Sequence, residues 1–230
     1  MIARDNGKEK NTMGKKRGKF IVFEGVDGAG TTTQSKLLFD RLNKLSGIKT
    51  MWEAEPTSYS IGAFIREHYL SGEVKLPDWK TMAMLFSADR QEHSIMIESW
   101  LEDGWWCVCD RYYWSTYAYQ VAMTGDENYK WRDHVAWMEK LSENVVRPDA
   151  TYFLRLGPAE AAKRRAKRDE KPEVYETDDM QERVNKAYLM LVKLMSHVDN
   201  ATTFDGADDI EKLHERIWKI ATIDFPMLPK

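Results

Sequence analysis

The chain has 230 residues, enough for one hydrophobic core and short of the length at which cores split into domains. Its 34 lysines and arginines stand against 37 aspartates and glutamates, and a net charge of −3 gives no overall electrostatic case for nucleic acid. No apolar run approaches the ~20 residues that span a bilayer, and residues 1–19 lack the apolar stretch of a secretory signal, so a cytoplasmic protein without a membrane partner is expected.

Residues 1–18 carry Lys8, Lys10, Lys15, Lys16 and Arg17 with little that is apolar. They read as a basic, mobile tail ahead of one domain over 19–230, with nucleic-acid contact as a second reading and Met13 as an alternative start. Residues 20–23, Phe-Ile-Val-Phe, predict a buried strand. A turn with Gly25, Gly28 and Gly30 follows, then a helical pattern over 32–45. Strand, glycine turn and helix form the layout of a P-loop, where backbone N–H groups and a helix N-terminus surround phosphate oxygens; an ordinary β–turn–α connection is the plainer alternative. Gly25 and Gly30 fit the G-x-x-x-x-G frame, and Thr32 occupies the Ser/Thr position that would hold Mg²⁺. The lysine of that motif is Thr31 here, which weakens the inference of catalysis more than that of binding. Asp27 would repel an approaching phosphate and is better explained by a sugar hydroxyl from which it accepts.

Further strands are predicted at 49–54, 106–109, 151–156 and 202–204. Helices are predicted at 60–71, 80–102, 114–124, 131–145, 158–169, 178–198 and 208–222. This alternation points to a parallel sheet covered on both faces, the three-layer α/β class. Glu55-Pro56-Thr57 closes the second strand at its carboxyl edge. On the helix from 80 to 102, Phe86 and Arg90 are an i,i+4 pair: an aromatic plane beside a fork of donors suits a nucleobase, and a core Phe plus a surface Arg is the plain alternative. The Trp- and Met-rich stretch 79–106 serves either as core or as an apolar interface. Cys107 and Cys109, the only cysteines, read as buried free thiols.

The third strand ends in Asp110-Arg111-Tyr112, beside the P-loop if the sheet is open and parallel. Asp110 can hold Mg²⁺ through water, and Arg111 can clamp a phosphate; an Asp–Arg cap at a strand end is the alternative. Thr116, Tyr119 and Gln120 share one helical face. Residues 163–176 are basic, then acidic, broken by Pro172, and read equally as a mobile lid or a solvated loop.

These residues together resemble the thymidylate kinase family, over roughly 19–222. Phe23-Glu24-Gly25-Val26-Asp27-Gly28-Ala29-Gly30 with Thr32-Thr33-Gln34 is similar to the family P-loop, and Glu55-Pro56-Thr57 to its second motif. Leu85-Phe86-Ser87-Ala88-Asp89-Arg90 resembles its base-binding helix. Asp110-Arg111-Tyr112 with Ser115, Ala118, Tyr119 and Gln120 resembles its most specific signature, and Tyr175-Glu176 with Gln181-Glu182-Arg183-Val184 the end of its lid.

The resemblance implies a five-stranded parallel sheet in the order 2-3-1-4-5, a lid near 163–178, ATP and dTMP as substrates, Mg²⁺, and a homodimer. It implies ATP contacts from Gly25, Asp27, Gly28, Ala29, Gly30, Thr31, Thr32 and Thr33, with Arg164 against adenine. Asp110 and Thr32 would hold the metal. On the acceptor side, Phe86 stacks on thymine, Arg90 reaches O4, Thr116 contacts the base, and Tyr119 leaves no space for a 2′-hydroxyl. Asp27 accepts from the 3′-hydroxyl and Arg111 holds the phosphate, while Glu55, Pro56, Ser115, Gln120 and Tyr175 complete that pocket. Some members carry a basic residue at the position of Gly28; where it is absent the lid supplies the catalytic cation, here Arg165, Lys167 or Arg168. Two departures stand out: Thr31 for the P-loop lysine, and Ala54 for an arginine often found before Glu-Pro. A kinase for another pyrimidine deoxynucleoside monophosphate, or a nucleotide-binding homologue without catalysis, are the alternatives.

Overall fold

The structure, a computed structural model, describes residues 16–125, 130–167 and 171–229. Its centre is β1 (Phe20–Gly25), six residues all buried, as expected of a strand covered on both faces. Four more strands join it: β2 (Thr50–Ala54), β3 (Trp106–Asp110), β4 (Ala150–Arg155) and β5 (Ala201–Asp205). All pairings are parallel, and the order is β2-β3-β1-β4-β5, as the family resemblance implies.

The strand order reverses at β1, which has β3 on one side and β4 on the other; ligands collect outside the carboxyl ends of strands at such a switch point. Register makes the placement specific, since Phe23 of β1 stands opposite Asp110 of β3. The P-loop and the Asp110-Arg111 segment therefore emerge side by side.

Helix α1 (Thr31–Asn43) packs on β1, β2, β3 and on α8 (Ile210–Asp224). The other face carries α3 (Trp79–Glu102), α4 (Tyr113–Met123) and α7 (Asp178–Met195), with α5 (Trp131–Leu141) against α4. Helix α6 (Pro158–Arg165) starts with proline at its first position, where the missing N–H costs nothing. Asp78, Thr177 and Asp209 cap α3, α7 and α8 with side-chain oxygens.

One predicted helix is corrected. Residues 60–71 form a short α2 (Ser60–Phe64) that widens into a π-helical stretch, Ile65–Leu70. Ile65 and Leu70 are both buried, yet five residues apart on an α-helix they would diverge by about 140°. The wider turn brings both into the core. Several predicted helices also run past their observed ends, most clearly 131–145, which stops at Leu141, and 158–169, whose helix ends at Arg165. Cys107 and Cys109 are buried free thiols.

Candidate active site

A cleft of about 1430 Å³ opens at the carboxyl edge of the sheet. One end is the P-loop. Gly28 and Gly30 take φ values of 92° and 93°, open to glycine and strained for other residues, and Gly30 leads directly into α1. Gly28 has a second constraint, because a Cβ there would meet the Ala161 carbonyl oxygen of α6 at 2.8 Å. Thr31 is buried, while Thr32 and Thr33 face outward at the mouth of the helix. Gly25 closes β1 beneath the loop, where an added Cβ would crowd Leu154, Ala29 and Thr31.

Thr32 Oγ1 donates a short hydrogen bond to Asp110 Oδ2. The other oxygen, Asp110 Oδ1, is buried and has no partner among the described residues. A hydroxyl and a spare carboxylate oxygen beside a phosphate loop fit Mg²⁺, which keeps several waters and takes few protein ligands. Among the described residues no cluster of three or more His, Cys, Asp or Glu side chains offers an alternative metal cage.

Arg111 crosses the floor of the cleft. Its Nη1 donates to the Gly25 carbonyl at 2.8 Å and its Nη2 to Asp27 Oδ1 at 2.6 Å, while its guanidinium lies over the Tyr119 ring. Burial works against its charge, but Tyr119 and the Asp27 carboxylate outweigh that and hold its pKa well above the ordinary value. Asp27 is held at its far oxygen by Gln181 Nε2 of α7, at 2.6 Å.

The other end of the cleft is a pocket under Phe86. Arg90 is 1% exposed, so it is no surface arginine. Its Nε donates to Glu55 Oε2 at 2.8 Å, and its Nη2 to the Tyr112 carbonyl and to Thr116 Oγ1 at 3.2 and 2.7 Å. Burial opposes the charge, the neighbouring Glu55 favours it, and the net direction is upward. Nη1 remains buried without a partner among the described residues, as does Gln120 Oε1. Both residues line the same cleft. Glu55 is itself fixed by His93 Nδ1 at 3.0 Å. Tyr119 and Tyr175 pack ring to ring at 5.4 Å, and Ser115 stands beside Arg111 at 3.3 Å.

Basic residues of α6 reach the same space. Arg165 Nη1 donates to the Asp27 carbonyl at 3.2 Å and its Nη2 to Asp178 at 3.1 Å. Arg164 donates to Glu160 and to the Gly206 carbonyl. Lys167 is exposed; Arg168 lies outside the described residues, as do Lys8, Lys10, Met13 and Lys15.

Arg66 and Tyr188 escape the sequence reading, and Glu24 and Gln181 enter it only within motifs, with no role assigned. Arg66, on the π-helical stretch, lines the cleft, donates to the Pro56 carbonyl and lies 4.0 Å from Glu173. It brings a guanidinium to the region that Ala54 leaves without one. Gln181 clasps Asp27, and Glu24 and Tyr188 lie buried behind Arg111. A glutamate inside an otherwise apolar strand is a visible signal for Glu24. The other three sit on helices whose local pattern does not tell which strand they meet.

Comparison with known proteins agrees with this geometry. A family profile described as thymidylate kinase matches residues 23–217. The chain is 35% identical over 198 residues to a probable thymidylate kinase of Methanocaldococcus jannaschii, covering 86% of this chain and 93% of that one. It is 35% identical over 212 residues to the thymidylate kinase of Plasmodium falciparum, covering 92% and 93%. The solved thymidylate kinase of Candida albicans superposes with a TM-score of 0.77 at 26% identity, over 90% of this chain and 92% of that one. The chain belongs to the thymidylate kinase family.

Proposed function

We propose that the protein transfers the γ-phosphoryl group of ATP to dTMP, giving dTDP and ADP. The observation that carries this reading is the pair of spare groups in the buried pocket, Arg90 Nη1 and Gln120 Oε1. A fixed donor and a free acceptor lining one cleft match thymine, which offers O4 and N3–H; cytosine presents the reverse pattern. Phe86 supplies the stacking face. Tyr119, wedged between Arg111 and Tyr175, excludes a 2′-hydroxyl.

The acceptor phosphate is already ionised near neutral pH, so no general base is required, and catalysis is positioning plus charge neutralisation. Arg111 and Arg66 hold that phosphate, with Asp27 accepting from the 3′-hydroxyl. The P-loop amides receive the phosphates of ATP, and Arg164 lies against adenine. Thr32 and Asp110 would hold Mg²⁺, which when bound would neutralise charge on the ATP phosphates. Thr31 brings no charge, and Arg165 supplies the missing cation from α6.

Residues 163–178 serve as the lid of this one kinase domain. The Val174 N–H donates to the Leu70 carbonyl at 3.0 Å and Lys171 reaches the Ser71 carbonyl at 3.3 Å, which ties the segment to the far side of the cleft. On α3, Met84 and Ile95 are 49% and 64% exposed and eleven residues apart, so they share a face that supports a homodimer. Among the described residues no helix is long and apolar enough to cross a membrane, in keeping with a cytoplasmic enzyme acting on free nucleotides.

The test is an ADP-release assay with ATP and Mg²⁺ over a panel of nucleosides and monophosphates. dTMP should give the highest kcat/KM, dUMP less, dCMP and thymidine little. Turnover of thymidine in preference to dTMP overturns the assignment of the acceptor, and binding of both nucleotides without turnover marks a non-catalytic homologue.

A further inference from the structure

Glu24 is the residue before the P-loop glycine and is 0% exposed. Its Oε1 accepts from the backbone N–H groups of Tyr112 and Ser115 at 2.9 and 3.2 Å. Its Oε2 accepts from Ser115 Oγ at 2.6 Å and from the Tyr188 hydroxyl at 2.9 Å. The first pair are the two donors that a capping box satisfies from within a helix. Helix α4 has no such device of its own, because its cap residue is Tyr112 and makes no side-chain cap. A carboxylate from another element takes its place.

The second pair are the hydroxyls that Arg111 Nη1 also reaches, each at 3.3 Å. Arg111 has φ 71°, a left-handed conformation that is strained for a non-glycine residue. Such a conformation persists only where its surroundings over-determine it. Here the Arg111 N–H is fixed to the Phe23 carbonyl, and the residues just after it are fixed to Glu24.

We propose that Glu24 is a positioning residue: it holds Arg111 in place from behind and, through Tyr188, ties it to α7, the helix that follows the lid. The inference rests on reading Arg111 as the clamp for the dTMP phosphate. It separates two jobs that one substitution can pull apart. A carboxylate accepts four hydrogen bonds, whereas an amide accepts on its oxygen and donates from its nitrogen. In Glu24→Gln the amide oxygen keeps the two backbone N–H groups, so the helix cap survives. The NH₂ group turns to the Ser115 and Tyr188 hydroxyls and competes there with Arg111 Nη1.

The experiment compares the full-length wild type, Glu24→Gln, Tyr188→Phe and the double variant. At about pH 8.5, where Glu24 is ionised, it measures melting temperature, KM for ATP, kcat and KM for dTMP, and dTMP binding by calorimetry, which needs no turnover. Glu24→Gln should lower kcat/KM for dTMP by roughly 10- to 100-fold and weaken dTMP binding. KM for ATP should stay within about two-fold of wild type, the melting temperature should not fall, and the double variant should lose less than the product of the single losses. Unchanged dTMP kinetics and affinity in Glu24→Gln overturn the proposal. So does an equal loss on the ATP and dTMP sides with a lowered melting temperature, the mark of a merely structural role. A wild type that binds dTMP but never phosphorylates it defeats the functional reading alone, and the calorimetry still decides the role of Glu24. A wild type that does not bind dTMP defeats both.

Discussion

Gln181 holds Asp27 at two points: its amide oxygen accepts from the Asp27 N–H at 3.2 Å, and its amide nitrogen donates to Asp27 Oδ2 at 2.6 Å. One residue of α7 thereby fixes both the backbone and the carboxylate of the P-loop. The opposite oxygen of Asp27 is taken by Arg111, so the carboxylate is pinned between the two. Gln181→Ala removes a hydrogen bond to a charged group, a loss of about 1.5–3 kcal/mol. KM for dTMP should rise more than KM for ATP. Steady-state kinetics with each nucleotide varied in turn checks this, and a larger rise for ATP would place Asp27 on the wrong substrate.

Phe86→Ala should mainly raise KM for dTMP, since a lost base–aromatic stack costs roughly 1–3 kcal/mol. Arg90→Ala is a harsher change, because it leaves Glu55 in the interior without the guanidinium that pairs with it at 2.8 Å. Removing one partner of a buried pair costs about 3–5 kcal/mol of stability, so this variant should also unfold at lower urea. Arg90→Lys keeps a charge near Glu55 but cannot make the fork. It should lose dTMP affinity with a smaller fall in stability, measured by binding and urea unfolding side by side.

Tyr119 should govern the choice of sugar. Replacing it with a smaller residue is expected to narrow the ratio of kcat/KM for dTMP over its ribonucleotide. The ratio is the right readout, because the same ring supports Arg111 and its loss lowers both rates. An unchanged ratio would put sugar discrimination elsewhere.

Arg165→Ala should lower kcat strongly with little effect on dTMP affinity, as expected for a group that acts on the transferring phosphoryl. Losing such a donor costs on the order of 2–4 kcal/mol. Thr31→Lys should bring little gain, since Thr31 is buried and the loop is already packed around it. Single-turnover kinetics of each variant, with an ATP-binding control, checks both. Wild-type kcat in Arg165→Ala would move the substitute cation to another residue.

Glu24 also gives stability a pH dependence. Burial outweighs Ser115, Arg111, Tyr188 and Tyr112 and pushes its pKa from 4.5 up to about 7. The folded protein thus binds a proton that the unfolded chain has released over that range. The contribution is fully present below pH 4.5 and is lost as pH rises through about 7. Its size is roughly 3 kcal/mol. Wild type should therefore lose stability relative to Glu24→Gln between about pH 5 and 7.5, followed by urea unfolding at each pH. A difference that does not change with pH would mean that Glu24 titrates like an ordinary carboxylate.

The fold was legible because the central strands β1, β3 and β4 are short buried runs rich in apolar residues, and the strand-like and helix-like segments alternate along the chain. The site was legible where its residues lie in contiguous motifs at strand ends, as Asp110 and Arg111 do. What local pattern could not show was the reach across the chain. Gln181 and Tyr188 meet the P-loop segment from more than 150 residues away, and Arg66 reaches the cleft from a helix whose pitch changes along its length. The length of that helix was readable; its change of pitch follows from burying Ile65 and Leu70 together.

The close approach of Gly28 to Ala161 has a consequence for how this position can vary. A side chain of any size at Gly28 must displace the loop or α6, and α6 is the element that carries Arg164 and Arg165. A larger side chain at Gly28 and the present seat of Arg164 and Arg165 therefore claim one volume in this chain. A substitution there moves the loop or the helix, so its effect includes the α6 arginines and is not confined to the P-loop.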